Sequence, residues 1–548
     1  MEEDPSLSVG QKEIVQLTFY CRDLKPYPFY EKIDPQIKMF IFNEEEETYK
    51  LYDTTDILLN DKNPDFQKKI KIDFYFNRVQ PLMFEIHDLY IPYQLTQFHD
   101  PKVVRTTLGD IITSRNRTLI VDCYDKYQKK AGLLIIQAES SKKFSNSVFF
   151  RFRAEQLNSV VEGKKYKLNS YFTIGRYRTE RDFEEVYRSE MIPDTEHPRW
   201  APFTVTNEEI CGNNRLQKIR FEVRTYQHGD KGEALKPMIG YTHLTLDEVL
   251  EKRRRDWELI RENEGGVHGE IHSVIHPIPQ FVDYLGGGLD LSLTIAIDFS
   301  LSNGDVRKPN SLHTVVSYGM NAYQRAIKSV ADILLNYDSS KQVAVYGFGA
   351  VPKFPTYKRE MVDHVFPCNG DAKDPTVYKI SGIFEAYESA LRNVEFSHPS
   401  LLAPVLKKVI ESSQKSKGSG STIYSIFLVL TDGEIEDLPQ VMDLIVECSM
   451  LPISIIMVGV GERDFSDLVA LNKSLSIKNS KGQFAVRRCV QFVALKEFKS
   501  DQDDISRKVL EEIPTQLLSF MCSEGLMPDA FQGEKNAEVL NFIYRKGL

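Results

Sequence analysis

The chain has 548 residues, 42% apolar and 27% charged, with a formal net charge of −9 and a pI near 5.8. This length accommodates roughly three or four domains, and the composition is that of a globular protein. The acidic balance argues against a general nucleic-acid binder, which carries a basic footprint.

The opening "MEEDPSLSVG" has neither the basic nor the apolar region of a secretory signal, so none is expected. No apolar run approaches the ~20 residues that span a bilayer. Seven cysteines (Cys21, Cys123, Cys211, Cys368, Cys448, Cys489 and Cys522) lie far apart, with no Cys-x-x-Cys pair. That pattern fits reduced thiols rather than a disulfide framework or a zinc ribbon.

From the start to about Gly265, short strand-like pieces such as "EIVQLTFYC", "QIKMFIF" and "LMFEIHDL" alternate with polar turns. Pieces of that length predict all-β sandwiches. An internal repeat divides them. Thr55-Asp56-Ile57 is followed by Pro64 and Phe66, and Ser189-Glu190-Met191 by Pro198 and Trp200 at the same spacing. Phe84 to Ile86 and Phe221 to Val223 continue the match. Two tandem copies of one β domain are predicted, over 8–125 and 130–262.

A linker is predicted over 263–282. Its His268, His272 and His276 are four apart around Glu270, but flanking Gly265, Gly266 and Pro277 favour a strand or linker over a zinc-binding helix. From 283 to 525, "LDLSLTIAIDF", "QVAVYGFGA", "SIFLVLTDG" and "ISIIMVGVG" read as strands buried on both faces, separated by helical stretches such as "NAYQRAIKSVADILLNY". This alternation predicts a doubly wound parallel α/β sheet. Residues 526–548 form a tail. "KRRR" at Lys252–Arg255 reads as a solvated helix face. "GVGERD" and "GFGA" lack the third glycine of a dinucleotide loop and read as sheet-end turns.

Open α/β sheets bind ligands beyond the carboxyl ends of their strands. Asp298 ends one strand and Asp432 another. With the hydroxyls of Ser300 and Ser302 they make a hard, all-oxygen donor set, which suits Mg²⁺, Mn²⁺ or Ca²⁺ rather than zinc. The alternative is that both carboxylates only cap turns. No general base or nucleophile accompanies them, and no phosphate-cradling Gly-x-x-x-x-Gly-Lys-Ser/Thr occurs, so an enzyme is not expected.

Asp-x-Ser-x-Ser after one strand and Thr-Asp-Gly after another resemble the metal-ion-dependent adhesion site of von Willebrand factor A domains. In that family a middle loop lends a further hydroxyl, for which "DPTVYKISGIFEAY" offers Thr376 or Ser381. Over nearly its full length the chain resembles the copines: two C2 domains followed by a von Willebrand A-like domain. "FVDYLGGG", "SLHTVVSYGMNAY", "VYGFGA", "GIFEAYESAL", "LTDGEIEDL" and "EEIPTQL" carry that resemblance. It implies a cytoplasmic protein that associates reversibly with acidic phospholipid membranes. It also implies recruitment of protein partners, which would offer a carboxylate to Mg²⁺ or Mn²⁺ held in the A domain.

C2 domains usually hold Ca²⁺ with five loop aspartates. In the first copy the resemblance keeps Asp34, Asp88 and Asp100, while Pro28 and Tyr90 replace two others. Ca²⁺ takes six to eight oxygens, so weak binding or none is expected. In the second copy Lys164, Ser170, Thr225, Gln227 and Pro237 stand at the ligand positions, and no Ca²⁺ is expected. Tyr27, Phe29 and Tyr30, with "IPYQL" on the neighbouring loop, are candidates for insertion at a membrane interface. Lys164, Lys165 and Lys167 are candidates for contact with anionic headgroups. The alternative function is a soluble protein-interaction scaffold without lipid binding.

Overall fold

The structure is a computed structural model that describes residues 12–528 other than 27–30, 45, 91–100, 126, 141–146, 162, 178–182, 229–233, 253–255, 262–265, 278, 315–318, 356, 358–360, 419–422, 473–476 and 499–501. The chain forms two compact units. One is built mainly on residues 143–279, and the other joins residues up to 142 to residues 280–520.

The first sandwich comprises β1 (Glu13–Arg22), β2 (Pro35–Asn43), β3 (Thr48–Thr54), β4 (Ile70–Phe74), β5 (Pro81–Asp88), β6 (Lys102–Thr107), α1 (Leu108–Thr113), β7 (Thr118–Tyr124) and β8 (Lys130–Ser140). Its two antiparallel sheets have the orders β4-β1-β8-β7 and β3-β2-β5-β6. Alternating apolar residues of β1, including Val15, Leu17, Phe19 and Cys21, are fully buried. Phe19 meets Phe84 of β5 at 5.6 Å between ring centroids.

The second sandwich comprises β9 (Ser147–Glu155), β10 (Ser170–Tyr177), β11 (Phe183–Arg188), β12 (Phe203–Thr206), β13 (Ile219–Thr225), β14 (Met238–Leu244), β15 (Asp256–Glu258) and β16 (Glu270–Pro277). Its sheets have the orders β12-β9-β16-β15 and β11-β10-β13-β14. Strand for strand this is the order of the first sandwich, shifted by eight. The core is aromatic, with Phe152 4.6 Å from Phe221 and 5.3 Å from Phe172.

The strand order explains the sequence repeat through hydrogen bonds. Thr55 Oγ1 accepts from Ile37 N at 3.0 Å and donates to Asp56 O at 2.9 Å. Ser189 Oγ accepts from Phe172 N at 2.9 Å and donates to Glu190 O at 2.9 Å. Pro64 O and Pro198 O accept from Cys21 N and Ala154 N, at 2.9 and 3.0 Å. The repeated residues are the ones that fasten an irregular segment across both sheets of each sandwich.

Two predicted boundaries move. β8 lies beyond the predicted end at 125, yet it is a central strand of the first sandwich, paired with both β1 and β7. β16 falls in the predicted linker 263–282, yet it pairs with β9 and β15 as the last strand of the second sandwich. The histidine spacing there is thus strand spacing. In both cases the closing strand is contributed last, after a polar turn that reads as a domain boundary.

The α/β part contains α2 (Phe281–Gly286), β17 (Asp290–Asp298), α3 (Ala322–Leu334), β18 (Gln342–Phe348), β19 (Phe366–Pro367), β20 (Thr376–Tyr378), α4 (Lys379–Asn393), α5 (Ala403–Gly418), β21 (Ile423–Thr431), α6 (Leu438–Cys448), β22 (Ile453–Gly459), β23 (Val490–Ala494) and α7 (Gln502–Leu510). The sheet order is β19-β18-β17-β21-β22-β23, with β20 on β18. The four central strands are parallel, and β22 is buried at every residue, as a sheet covered on both faces requires.

This sheet and the first sandwich share one unit, and a buried carboxylate sits at their junction. Glu13, 4% exposed, accepts from the backbone N–H groups of Phe281 and Val282 at 2.7 and 2.8 Å, at the start of α2. Arg117 pairs with Asp283 at 3.1 Å, and Phe76 packs on Phe281 and Tyr337 with centroids 4.8 and 4.9 Å away. Burial pushes the Glu13 carboxyl up to about 8, against the pull of its two backbone donors. Between the ordinary carboxyl range and pH 8 the folded state then holds a proton that the unfolded chain has released, so this group's contribution to stability falls as pH rises. Thermal melts of Glu13→Gln between pH 5 and pH 8 should show a flatter pH dependence than the unaltered chain. Glu13→Ala should lose about 1–3 kcal/mol per orphaned N–H.

Candidate functional site

β17 and β21 are adjacent parallel strands, with Ile297 opposite Leu430, so Asp298 and Asp432 leave the sheet side by side. Both are buried, at 0 and 1% exposure. Asp298 Oδ1 accepts from Ser300 N at 2.9 Å, and its Oδ2 accepts from Thr431 Oγ1 at 2.8 Å. Burial first, and then the Asp432 charge, push the Asp298 carboxyl up to about 7. Asp432 Oδ1 accepts from Glu434 N at 3.1 Å, whereas its buried Oδ2 accepts no hydrogen bond. The Arg463 guanidinium approaches that oxygen, with Nε 3.6 Å away.

Ser300 Oγ and Ser302 Oγ lie 2.8 Å apart on the turn after β17. Gly349 makes room for this turn: at φ +75°, a Cβ there would come within 3.2 Å of Ser300 N. Behind the turn stands a neutral, fully bonded floor. His313 Nε2 donates to the Asp298 carbonyl at 2.9 Å, and Tyr387 OH donates to His313 Nδ1 at 2.8 Å. Asn321 Nδ2 donates to the same Tyr387 oxygen at 3.1 Å, which fixes the direction of the chain. Burial pushes His313 down to about 3, consistent with an uncharged ring. The ring stacks on Tyr323 at 4.0 Å and on Phe299 at 5.2 Å. The segments around His313, Asn321 and Tyr387 therefore hold the strand end in place.

Thr376 is not part of this cluster. It pairs with Ala344, which lies opposite Thr294, four residues short of Asp298. At the rise of a strand that is about 13 Å from the carboxyl edge. Its hydroxyl donates to Asp374 at 2.7 Å. Ser381 follows in the first turn of α4, after β20 has run back to Gln342 at the start of β18.

The loop that does reach the site comes one helix later. Ser397 bridges to Ser300, and Leu301 N donates to Ser397 O at 3.0 Å. Ser400, at 0% exposure, is tied to Glu436 by two hydrogen bonds: its N–H donates to the side-chain Glu436 Oε1 at 3.0 Å, and Glu436 N donates to its carbonyl at 2.9 Å. Ser400 Oγ is buried and makes no hydrogen bond. A hydroxyl in "HPSLLAPVL", at the mouth of a helix just before the Thr-Asp-Gly strand, was the available sequence signal.

Asp298, Asp432, Ser300 and Ser302 make an all-oxygen set at neighbouring strand ends, and the 397–400 segment, bridged to Ser300 through Ser397, adds the Ser400 hydroxyl as a candidate, with no nitrogen or sulfur. Among the described residues no three His, Cys, Asp or Glu side chains converge as metal ligands, so hydroxyls are needed to complete a site. The Ser300–Ser302 separation is close to the ~3 Å between neighbouring ligands of an octahedron with ~2.1 Å bonds. Two buried oxygens without hydrogen bonds, on Asp432 and Ser400, are what an oxygen-binding cation would satisfy. The residues fit Mg²⁺ or Mn²⁺.

In the first sandwich, Asp34 and Asp88 meet: Asp34 N donates to Asp88 Oδ1 at 3.0 Å, and Asn60 N donates to Asp34 Oδ1 at 2.7 Å. Tyr90 N also donates to Asp88 Oδ1, at 3.1 Å, while the buried Asp88 Oδ2 accepts nothing. Burial lowers the Lys102 pKa, and the Asp88 charge opposes that shift. Asp100, Tyr27, Pro28, Phe29, Tyr30 and the "IPYQL" segment lie outside the described residues.

The second sandwich repeats this arrangement without the charges. Asn169 N donates to Thr225 Oγ1 at 3.0 Å, and Asp194 N donates to Asn169 Oδ1 at 3.3 Å. The counterpart of Asp34 is therefore Asn169, not Ser170, which is the first residue of β10 and pairs with Thr225. Thr225 replaces Asp88 and also donates to Lys167 O at 2.9 Å, as does Gln227 Nε2 at 2.9 Å. Pro237 supplies a carbonyl to Thr225 N. Neutral hydrogen bonds thus tie together loops that carboxylates and an ion would otherwise hold. Lys164 and Lys165 are exposed, and Lys167 pairs with Asp194 at 3.2 Å.

Among the described residues no helix is long and apolar enough to cross a membrane. The copine family model matches residues 311–529, and the C2 domain model matches residues 151–260. "Copine-A" of Dictyostelium discoideum is 28% identical over 536 residues, covering 94% of this chain and 85% of its own length. Among solved structures, the paired, calcium-bound C2 domains of Extended-Synaptotagmin 2 are 15% identical, covering 48% of this chain and 96% of that one, with a TM-score of 0.19. "BON1-C2B" is 14% identical, covering 23% and 87%, with a TM-score of 0.20. The chain thus carries a copine-type region over 311–529 and a C2-type region over 151–260, and it is similar over nearly its full length to a copine.

Proposed function

We propose that the chain is a non-enzymatic, peripheral membrane adaptor of the cytoplasm. Its two sandwiches act as tandem C2 domains that associate with acidic phospholipid. Its α/β domain, of the von Willebrand A type, recruits protein partners through a divalent metal. Asp298, Ser300, Ser302, Asp432 and Ser400 would hold Mg²⁺ or Mn²⁺, which supplies an open position for a partner's carboxylate. The observation that carries the reading is the pair of buried carboxylates on neighbouring strand ends, one with an oxygen that accepts no hydrogen bond. Such an oxygen is costly to bury unless a cation meets it, and the half-exposed Arg463, with Nε 3.6 Å away, makes no hydrogen bond to it.

Calcium plays a reduced part in this reading. The first sandwich brings Asp34 and Asp88 together. The second has Asn169 and Thr225 there, with Lys164 nearby in sequence. Ca²⁺ affinity follows the number of charged oxygen ligands. Lipid attachment then falls to the exposed Lys164 and Lys165, with Lys167, and to the aromatic residues Tyr27, Phe29 and Tyr30. Each lysine near an anionic leaflet contributes ~1 kcal/mol.

Mn²⁺ titration of the full chain tests the metal site. Asp298→Ala should abolish binding, and Ser400→Ala should weaken it by about 10–100-fold, whereas Thr376→Ala should leave it unchanged. Mn²⁺ binding that survives Asp298→Ala refutes the site. Sedimentation with vesicles tests the membrane arm. Binding should favour anionic over neutral lipid, change little with Ca²⁺, and fall roughly tenfold or more when Lys164, Lys165 and Lys167 are replaced by alanine. No sedimentation with either lipid supports the soluble scaffold instead.

A further inference from the structure

A cation of the chain itself stands at the mouth of the A-domain site. Arg463 Nη1 contacts Glu434 Oε2 at 2.8 Å, and its Nε lies 3.6 Å from Asp432 Oδ2, the oxygen that accepts no hydrogen bond. The Arg463 side chain is 48% exposed, whereas that of Asp432 is 1% exposed, so the guanidinium covers the buried carboxylate from the solvent side.

The turn that carries Arg463 is fastened to the site. Val460 N donates to Thr431 O at 2.8 Å, and Lys496 Nζ donates to Arg463 O at 2.8 Å. Phe465 packs so closely on Gly433 and Gly459 that a Cβ at either would come within 2.8 Å of its ring. The backbone of residues 459–465 is therefore fastened beside the Thr-Asp-Gly loop, and the half-exposed arginine side chain reaches back from it toward Asp432.

This placement has two electrostatic consequences. A divalent cation on Asp432 meets a like charge on the same carboxylate, which weakens its binding. An anion seated at the mouth reverses the effect, because it lies between two positive groups and offers oxygens to the planar guanidinium fork. We propose that Arg463 couples metal affinity to ligand capture: the site holds its divalent ion loosely when alone and firmly once a carboxylate-bearing partner is bound. This inference rests on the metal site proposed above. The acidic segment of a protein is the partner chemistry that fits it. By linkage, the metal must strengthen binding of that segment by the same factor.

The test uses the full chain, Mn²⁺, and a short synthetic peptide with two adjacent glutamates, with Mn²⁺ affinity read by electron paramagnetic resonance. For the unaltered chain the peptide should tighten Mn²⁺ binding at least about fivefold. Arg463→Gln should bind Mn²⁺ alone about five- to tenfold more tightly, with the coupling reduced below about twofold. Arg463→Lys keeps the charge without the fork, and should retain the loose binding of Mn²⁺ alone. Equal Mn²⁺ affinities for the unaltered chain and Arg463→Gln overturn the inference, as does absence of a peptide effect on the unaltered chain. Tight binding by Arg463→Lys equal to that of Arg463→Gln also overturns it, since charge would then not be the cause. Mn²⁺ bound undiminished by Asp298→Ala defeats the metal site itself, an outcome distinct from the other three.

Discussion

Two carboxylates are buried side by side where neighbouring parallel strands leave the sheet, and much of the α/β domain is arranged around that constraint. Asp298 spends both oxygens on hydrogen bonds, to Ser300 N and Thr431 Oγ1. Asp432 spends one, and its other oxygen faces Arg463. The floor under Asp298 carries no charge of its own: neutral His313, Tyr387 and Asn321 satisfy one another and the strand carbonyl, and Tyr323 OH donates to Asn303 Oδ1 at 2.6 Å. A charged floor would have settled the carboxylates from behind. A neutral one leaves their charge to be balanced from the open side.

The two sandwiches show how one framework holds different loop chemistry. Their strand orders coincide, and so do the hydrogen bonds made by Thr55 and Ser189. At the loop end, the same backbone N–H finds a carboxylate in one copy and a hydroxyl in the other, Asp88 and Thr225. The loop geometry survives the loss of charge because a hydroxyl both accepts from Asn169 N and donates to Lys167 O. Loops closed by neutral bonds need no ion to hold their shape, and this makes a calcium-independent second sandwich physically reasonable.

The first sandwich belongs to the same compact unit as the α/β domain, and its first strand supplies the carboxylate that receives the start of α2. A helix N-terminus presents backbone N–H groups without partners, and Glu13 satisfies two of them. Sequence separation hides this contact, since Glu13 and Phe281 are 268 positions apart. It makes the first sandwich part of the structural setting of the α/β domain rather than a module strung on a linker.

Sequence alone determined the fold class of each half, because strand and helix periodicities and the repeat at Thr55 and Ser189 are local patterns. It also singled out Asp298, Ser300, Ser302 and Asp432, since a buried run ending in an acid is visible without coordinates. Tertiary structure decided which elements close each sheet, so β8 and β16 moved across the expected boundaries. It also decided which loops converge. Thr376 lies far down the neighbouring strand, Ser400 arrives from a later loop, Asn169 rather than Ser170 matches Asp34, and Arg463 reaches Asp432 from the turn after β22. The physical reason is common to all four: periodicity reports which face of an element is buried, but only the packing of strands and loops sets how far along the sheet each side chain stands.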